Sequence, residues 1–127
     1  MTLAGAPVIA FVATADADRA RTFYGDTLGL PLVEDAPFAL VFAAGETMLR
    51  VQKVAGLTPQ PFTALGWHVD DLAETVAALV RRGVVFQHFE GVQQDEAGIW
   101  TTPSGDRIAW FKDPDGNLLS LTEFNRG

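Results

Sequence analysis

Three features are scarce in this sequence: cysteine, positive charge and long apolar runs. There is no Cys, which excludes a disulfide framework, a thiolate metal ligand and a Cys nucleophile, and which agrees with a reducing compartment. The 9 Lys and Arg residues stand against 16 Asp and Glu residues, so the formal net charge is -7. Nucleic acids and anionic membranes are therefore unfavourable partners. No apolar run approaches the roughly 20 residues that a membrane span needs.

The apolar content is nevertheless high enough for one folded domain. Hydrophobic residues make up 48% of the 127 residues, which is typical of a globular chain rather than a disordered one. The first residues lack the basic segment with which a secretory signal peptide begins, so none is predicted. We expect a single cytoplasmic domain spanning residues 1–127.

Apolar runs and turn signals predict one strand, one helix and three strands in the first half. The helix, about ten residues long, is capped by Asp16 or Asp18 and ends at Gly29. The predicted strands are 8–14, 32–34, 38–43 and 47–53. A segment rich in Gly and Pro then predicts a linker at 55–61.

The same order returns after the linker. Asp71 caps a helix with apolar residues at helical spacing, namely Leu72, Val76, Leu79 and Val80. A strand is predicted at 62–69, and the strand candidates after the helix are 84–89, 99–102, 107–112 and 118–124, with a polar loop at 90–98. The chain is therefore predicted to be α+β, with two βαβββ modules at about 7–54 and 62–124 whose free sheet faces curve around a concave cavity.

A tight turn precedes the last strand. Asp113-Pro114-Asp115-Gly116 combines a fixed φ at Pro, a carboxylate able to bind its own backbone and a Gly that tolerates positive φ. The sequence therefore predicts a chain reversal between the strands 107–112 and 118–124.

Alternation along the strands separates an apolar face, packed under the helices, from a mixed face suited to a small-molecule pocket. Small residues such as Gly66 and Ser120 are expected to leave volume open there. Alternatively, the mixed face packs against a second subunit or on itself. The predicted cavity residues are Phe11, Met48, Arg50, His68, Trp100, Trp110, Ser120 and Thr122.

Three segments together resemble the vicinal oxygen chelate superfamily, which includes glyoxalases, bleomycin resistance proteins and extradiol dioxygenases. They are the helix 16–29 with its Phe-Tyr and Leu-Gly pairs, the start of the second module at 69–72, and the turn 113–117. The resemblance covers nearly the whole chain. It implies paired βαβββ modules, a concave cavity, frequent homodimers, and in the metalloenzymes a divalent metal that polarises vicinal oxygens.

The family's four metal-ligand positions fall on residues that are poor ligands. They are Ile9, Arg50, Ala64 and Ser120. Ile and Ala have no donor atom, Arg is a permanent cation, and neutral Ser binds metals weakly. Neither His68 nor His88 with Glu90 completes a three-ligand spacing. We therefore predict no metal and no other cofactor, with His68 and Arg50 as the candidates for a catalytic role.

Three functions remain open from the sequence. The first is a metal-free protein of the glyoxalase and bleomycin-resistance type that binds a small molecule, aromatic or anionic, in the cavity. The second is a metal-dependent lyase, isomerase or dioxygenase of the same superfamily with a divergent site. The third is a module whose concave face binds another protein.

Overall fold

The computed structural model describes residues 2–126 and divides them into two compact units, with the boundary between Thr58 and Pro59. Each unit contains its own four-stranded sheet and its own helix. The predicted α+β class with two repeated modules is confirmed. The predicted module limits, the single-domain organisation and the curved cavity stay predictions.

The first unit follows a short 3-10 turn, Leu3–Gly5, with the order strand, helix and three strands. Its elements are β1 (Ile9–Thr14), α1 (Ala17–Arg21, continued by a π-helical segment at Thr22–Thr27), β2 (Leu32–Asp35), β3 (Ala39–Ala44) and β4 (Thr47–Lys53). The strand order is β1-β4-β3-β2. Only β1 and β4 are parallel, so the sheet is mixed.

The first helix begins as predicted but changes its winding. The Asp16 carboxylate accepts a hydrogen bond from the backbone N–H three residues further on, which identifies the cap. The second half is wider than an α-helix, since the Leu28 N–H donates to the Phe23 carbonyl at 2.8 Å, five residues back. The prediction of one regular α-helix is therefore wrong there. The wide turn accompanies full burial of Tyr24, whose ring lies 6.0 Å from that of Phe42.

The second unit repeats the order. Its elements are β5 (Thr63–His68), α2 (Leu72–Arg81), β6 (Trp100–Thr101), β7 (Arg107–Lys112) and β8 (Leu118–Glu123). The strand order β5-β8-β7-β6 matches that of the first unit, again with a parallel pair, β5 and β8, at one edge. Between residues 2 and 126, no helix has the length and apolar character required to cross a membrane.

Two carboxylates hold the N-terminus of α2. Asp71 accepts from a backbone N–H in the first turn, and the Glu123 carboxylate reaches from β8 to accept from the Leu72 N–H at 2.8 Å. Leu72 and Val76 are buried as the helical spacing predicts, but Val80 is 53% exposed. The buried side of α2 therefore includes fewer of the four predicted apolar residues than expected.

The predicted strand at 84–89 is wrong, because only one isolated bridge forms there, between Phe86 and Phe111. The edge of β7 is shared by two short segments. The first residues of β7 pair with β6. Its last residues pair with the segment 86–87 instead, through the Phe86–Phe111 bridge and through the Gln87 N–H, which donates to the Trp110 carbonyl at 2.8 Å. Neither segment has enough of the edge to build a full strand.

The face under the helices is buried as the alternation predicts, but β3 and β8 are also buried on the other face, at Ala39, Val41, Leu118 and Ser120. The face under the helices is buried at Val12, Thr14, Phe42, Leu49, Val51, Phe111, Leu119 and Leu121. The two modules also share one register, since Phe11 lies opposite Arg50 and Gly66 lies opposite Ser120, the equivalent positions of the repeat. In each sheet, the candidate site residues therefore lie on the face that is not packed under the helix.

Candidate functional site

Phe11, Met48 and Arg50 lie on the same exposed face of the first sheet. Arg50 occupies the inner strand β4, with Phe11 of β1 and Val41 of β3 as its register partners. Phe11 is 50% exposed and Met48 is 42% exposed, while Arg50 is half-buried. This face therefore places one guanidinium among apolar side chains.

A separate charged cluster joins the C-terminal ends of α1, β2 and β4. The Asp35 carboxylate accepts from Lys53 Nζ and, at 3.3 Å, from Arg21 Nη1. The hydrogen bond from Lys53 is the main cause that lowers the pKa of Asp35 below its ordinary value of 3.8. Because the cluster is open to solvent, it contributes little to stability, but it leaves neither cation free to bind a ligand.

Aromatic rings dominate the corresponding face of the second sheet. Trp110 of β7 lies opposite Ser120 of β8, and its ring stacks on that of Trp100 with centroids 6.1 Å apart and planes at 24°. Phe89 meets Trp110 edge-on, at 5.4 Å and 84°. All three rings are half-buried, so they form an aromatic wall (Phe89, Trp100 and Trp110) that remains partly open.

Gly66 and Ser120 are close together rather than separated by open volume. A Cβ atom at Gly66 would lie 2.6 Å from Ser120 Oγ, and Ser120 is itself only 9% exposed. The expectation that both small residues leave space is therefore wrong: the Ser120 side chain fills the space above Gly66. Its hydroxyl still points to the face that carries Trp110, where it is available as a donor or acceptor.

His68 lies at the end of the same face. It is exposed, pairs with Thr122 in the sheet, and contacts the Phe124 ring edge-on at 5.0 Å. A cleft of about 300 Å³ opens beside it, lined also by Asp70 and Glu123. Glu123 already accepts from the Leu72 N–H and lies 3.8 Å from an Arg107 nitrogen. Within residues 2–126, no hydrogen bond or ion pair orients the His68 imidazole as a general base.

The structure thus brings the predicted residues together in two sets. The first sheet carries Phe11, Met48 and Arg50, and the second carries His68, Trp100, Trp110, Ser120 and Thr122. Phe89 belongs with the second set, although alternation alone did not include it. That all eight predicted residues line one cavity stays a prediction.

The residues at the family's metal positions do not fit a metal. Ile9 is an exposed apolar residue, and Ala64 lies where the pairing of β5 with β8 shifts register. Arg50 would repel a dication, and Ser120 offers one neutral hydroxyl. Within residues 2–126, no three His, Asp or Glu side chains come together as a candidate metal centre.

Gln94 organises the loop that supplies Phe89. Its side-chain oxygen accepts from the Phe89 N–H at 2.7 Å, and its side-chain nitrogen donates to the carbonyls of Gln87 and Gly98 at 2.9 and 2.8 Å. Its backbone also bridges to Trp100. One amide therefore joins both ends of the polar loop to the aromatic wall, a role for which the sequence carries no recognised motif.

Replacing Gln94 by Ala is expected to lower the free energy of unfolding by about 1–3 kcal/mol, because three backbone groups lose their partner in a partly buried site. Urea denaturation measures the loss. Gln93→Ala is the matched control, since the Gln93 side chain is exposed, and we expect a change below about 0.5 kcal/mol. Gln94→Glu should resemble Gln94→Ala, because a carboxylate cannot donate to the two carbonyls. Equal stability of Gln94→Ala and Gln93→Ala would contradict this role.

Comparison with known proteins identifies the family. The family model described as Glyoxalase/Bleomycin resistance protein/Dioxygenase superfamily matches residues 7–121. Among curated proteins, no match was found.

Solved structures agree with this match. The chain is 27% identical to TnmS3, an antibiotic binding protein from Streptomyces sp., with a TM-score of 0.70 over 95% of this chain and 98% of that one. It is 25% identical to a superfamily member from Sphaerobacter thermophilus, with a TM-score of 0.70 over 92% and 97%. A lactoylglutathione lyase from Agrobacterium tumefaciens shares the fold at 22% identity, with a TM-score of 0.69 over 94% and 95%.

The family match over most of the chain agrees with the two βαβββ modules and with the three resembling segments of the sequence. The chain therefore belongs to the glyoxalase, bleomycin resistance protein and dioxygenase superfamily.

Proposed function

We propose that this protein binds a small aromatic molecule without a metal, and that the aromatic wall of the second sheet is the principal contact surface. The observation that carries the proposal is the stacked pair Trp100 and Trp110 with Phe89 set edge-on against it. Rings held in place by their neighbours provide a large apolar contact area at low entropic cost. The Ser120 hydroxyl, opposite Trp110, adds one polar group that can fix the orientation of a bound molecule.

The chemistry of the remaining side chains supports binding over metal-dependent catalysis. The four positions at which the family's metalloenzymes hold their metal offer one neutral hydroxyl and one cation. A Lewis-acid reaction needs carboxylate or imidazole ligands that these positions do not provide. The similarity to TnmS3, an antibiotic binding protein, also supports a binding function.

A neutral fluorescent probe tests the proposal directly. We expect 1-aminoanthracene to bind with an increase in its fluorescence, and to bind equally well after treatment of the protein with a chelator. At a free concentration of one hundred times Kd, a bound ligand should stabilise the fold by about 2.7 kcal/mol, which a rise in melting temperature detects.

Two outcomes would overturn the proposal. One is the absence of binding by 1-aminoanthracene and by a panel of planar aromatic compounds. The other is binding that appears only after addition of Zn²⁺, Ni²⁺, Mn²⁺ or Fe²⁺, which would favour the metal-dependent lyase, isomerase or dioxygenase instead. The metal content of protein purified without an affinity tag separates the two classes of function.

A further inference from the structure

We infer that Arg50 is the recognition residue of an oxyanion subsite on the exposed face of the first sheet, and that the subsite takes small carboxylates with an apolar or aromatic body. The inference rests on the proposed function only in assuming that this protein binds small molecules. It concerns a different sheet and a different chemistry from those of the aromatic wall.

The position of Arg50 is unusual for a cation. It lies on an inner strand, flanked on both sides by apolar register partners, Phe11 and Val41, and its side chain is half-buried. Removing part of a charged group from water costs free energy unless a partner compensates it. Surface cations at loop and helix positions do not carry that cost.

Arg50 has no such partner among residues 2–126. Neither an ion pair nor a hydrogen bond involves its guanidinium in the part of the chain that the structure describes. Four other cations, by contrast, are paired with carboxylates: Arg21, Lys53, Arg81 and Arg107. The permanently charged guanidinium of Arg50 therefore has N–H donors available on a partly apolar surface.

The nearest acid by register does not neutralise it. Glu34 pairs with Val41, so it lies on the same face two strands away from Arg50, at roughly 10 Å for strands about 4.8 Å apart. No ion pair within 4.0 Å joins the two side chains. Because Val41 lies between the two residues in the sheet, Glu34 does not occupy the donors of the guanidinium.

The surroundings of Arg50 define the class of ligand. A guanidinium binds a carboxylate through two parallel N–H···O bonds, which a metal-free site can use to hold an anion. Phe11 and Met48, both substantially exposed beside it, offer a ring and a thioether to the body of the ligand. The charge that repels a dication at this position therefore attracts an anion.

The test compares benzoate with benzamide, which has nearly the same shape but no charge. Binding is followed by NMR shift titration, including the Arg50 Nε–H signal. We expect benzoate to bind the unaltered protein more tightly than benzamide does. In Arg50→Gln the affinity for benzoate should fall by about tenfold or more, because a charge-assisted pair of hydrogen bonds is lost.

Matched variants separate recognition from net charge and from folding. Lys112→Gln removes one exposed cation from the second unit and should change the benzoate affinity by less than about twofold. Arg50→Lys keeps the charge but loses the two parallel N–H donors of the guanidinium, so an intermediate affinity for benzoate is expected. If Arg50→Gln does not fold, the comparison is made with Arg50→Lys instead. Glu34→Gln should leave benzoate binding unchanged or stronger.

Three results would overturn the inference: no benzoate binding to the unaltered protein, equal affinities for benzoate and benzamide, or equal losses in Arg50→Gln and Lys112→Gln. Titration of the same variants with 1-aminoanthracene makes the two proposals separable. Failure of that neutral probe in the unaltered protein contradicts the aromatic wall as a ligand surface, whereas indifference of benzoate to Arg50 contradicts only the oxyanion subsite.

Discussion

Replacing Asp113 by Ala is expected to lower the free energy of unfolding by about 3 kcal/mol, because it leaves buried donors without their acceptor. Asp113 is 5% exposed and binds at both carboxylate oxygens. Oδ1 accepts from the backbone N–H groups of Asp115 and Asn117 at 3.0 and 2.9 Å, and Oδ2 accepts from Asn117 Nδ2 at 2.9 Å. Urea denaturation followed by circular dichroism measures the loss.

Two variants control this result. Asp113→Asn retains one acceptor oxygen but places an amide group against Asn117 Nδ2, so an intermediate stability is expected. Asp26→Ala removes an exposed carboxylate and should change stability by less than about 0.5 kcal/mol. If Asp113→Ala were as stable as Asp26→Ala, the carboxylate would not be what holds the turn between β7 and β8.

Replacing Trp110 by Ala is expected to weaken the binding of 1-aminoanthracene by about tenfold or more, since stacking on one aromatic side chain contributes about 1–3 kcal/mol. The ring of Trp110 is the centre of the aromatic wall, in contact with both Trp100 and Phe89. Its removal therefore takes away one contact surface and also frees the other two rings to move. Fluorescence titration gives the dissociation constant.

Trp67 provides the matched control, because it lies on the opposite face of the second sheet. Its ring stacks on the fully buried Phe111 at 6.4 Å and 20°. Trp67→Phe should lower stability while the folded protein keeps its affinity for the probe. Trp110→Phe should retain part of the affinity, since a smaller ring preserves some stacking. An unchanged dissociation constant in Trp110→Ala would show that the ligand binds elsewhere.

Short-range patterns in the sequence predict the turn at Asp113 and the sheet face that carries Arg50. The turn at Asp113 was predicted from four consecutive residues, and it forms with Gly116 at φ +89° and its N–H bound to the Asp113 carbonyl. The side of the first sheet that carries Arg50 is predicted by alternation along its strand, and the observed register agrees. A period of two fixes which residues share a face as soon as the strand is known.

The corrections concern contacts between segments distant in the chain. Residues 84–89 have the composition of a strand but obtain only a fraction of the β7 edge, because β6 occupies the rest. The π-helical turn after α1 coincides with the packing of Tyr24 on Phe42, and the space at Gly66 depends on the Ser120 side chain of another strand. Composition and periodicity carry no information about such competition.

The sequence by itself therefore determined the repeated strand–helix–strand order, the cap at Asp71, the face of the first sheet that carries Arg50 and the family, since each depends on neighbouring residues or on a fixed repeat. It left the first cap open between Asp16 and Asp18, and the strand expected at 84–89 does not form. Only the tertiary structure decided that Phe89 joins the two tryptophans and that one Gln94 amide holds it there. That arrangement depends on hydrogen bonds and ring contacts across a loop, whose geometry is set by packing rather than by local propensity.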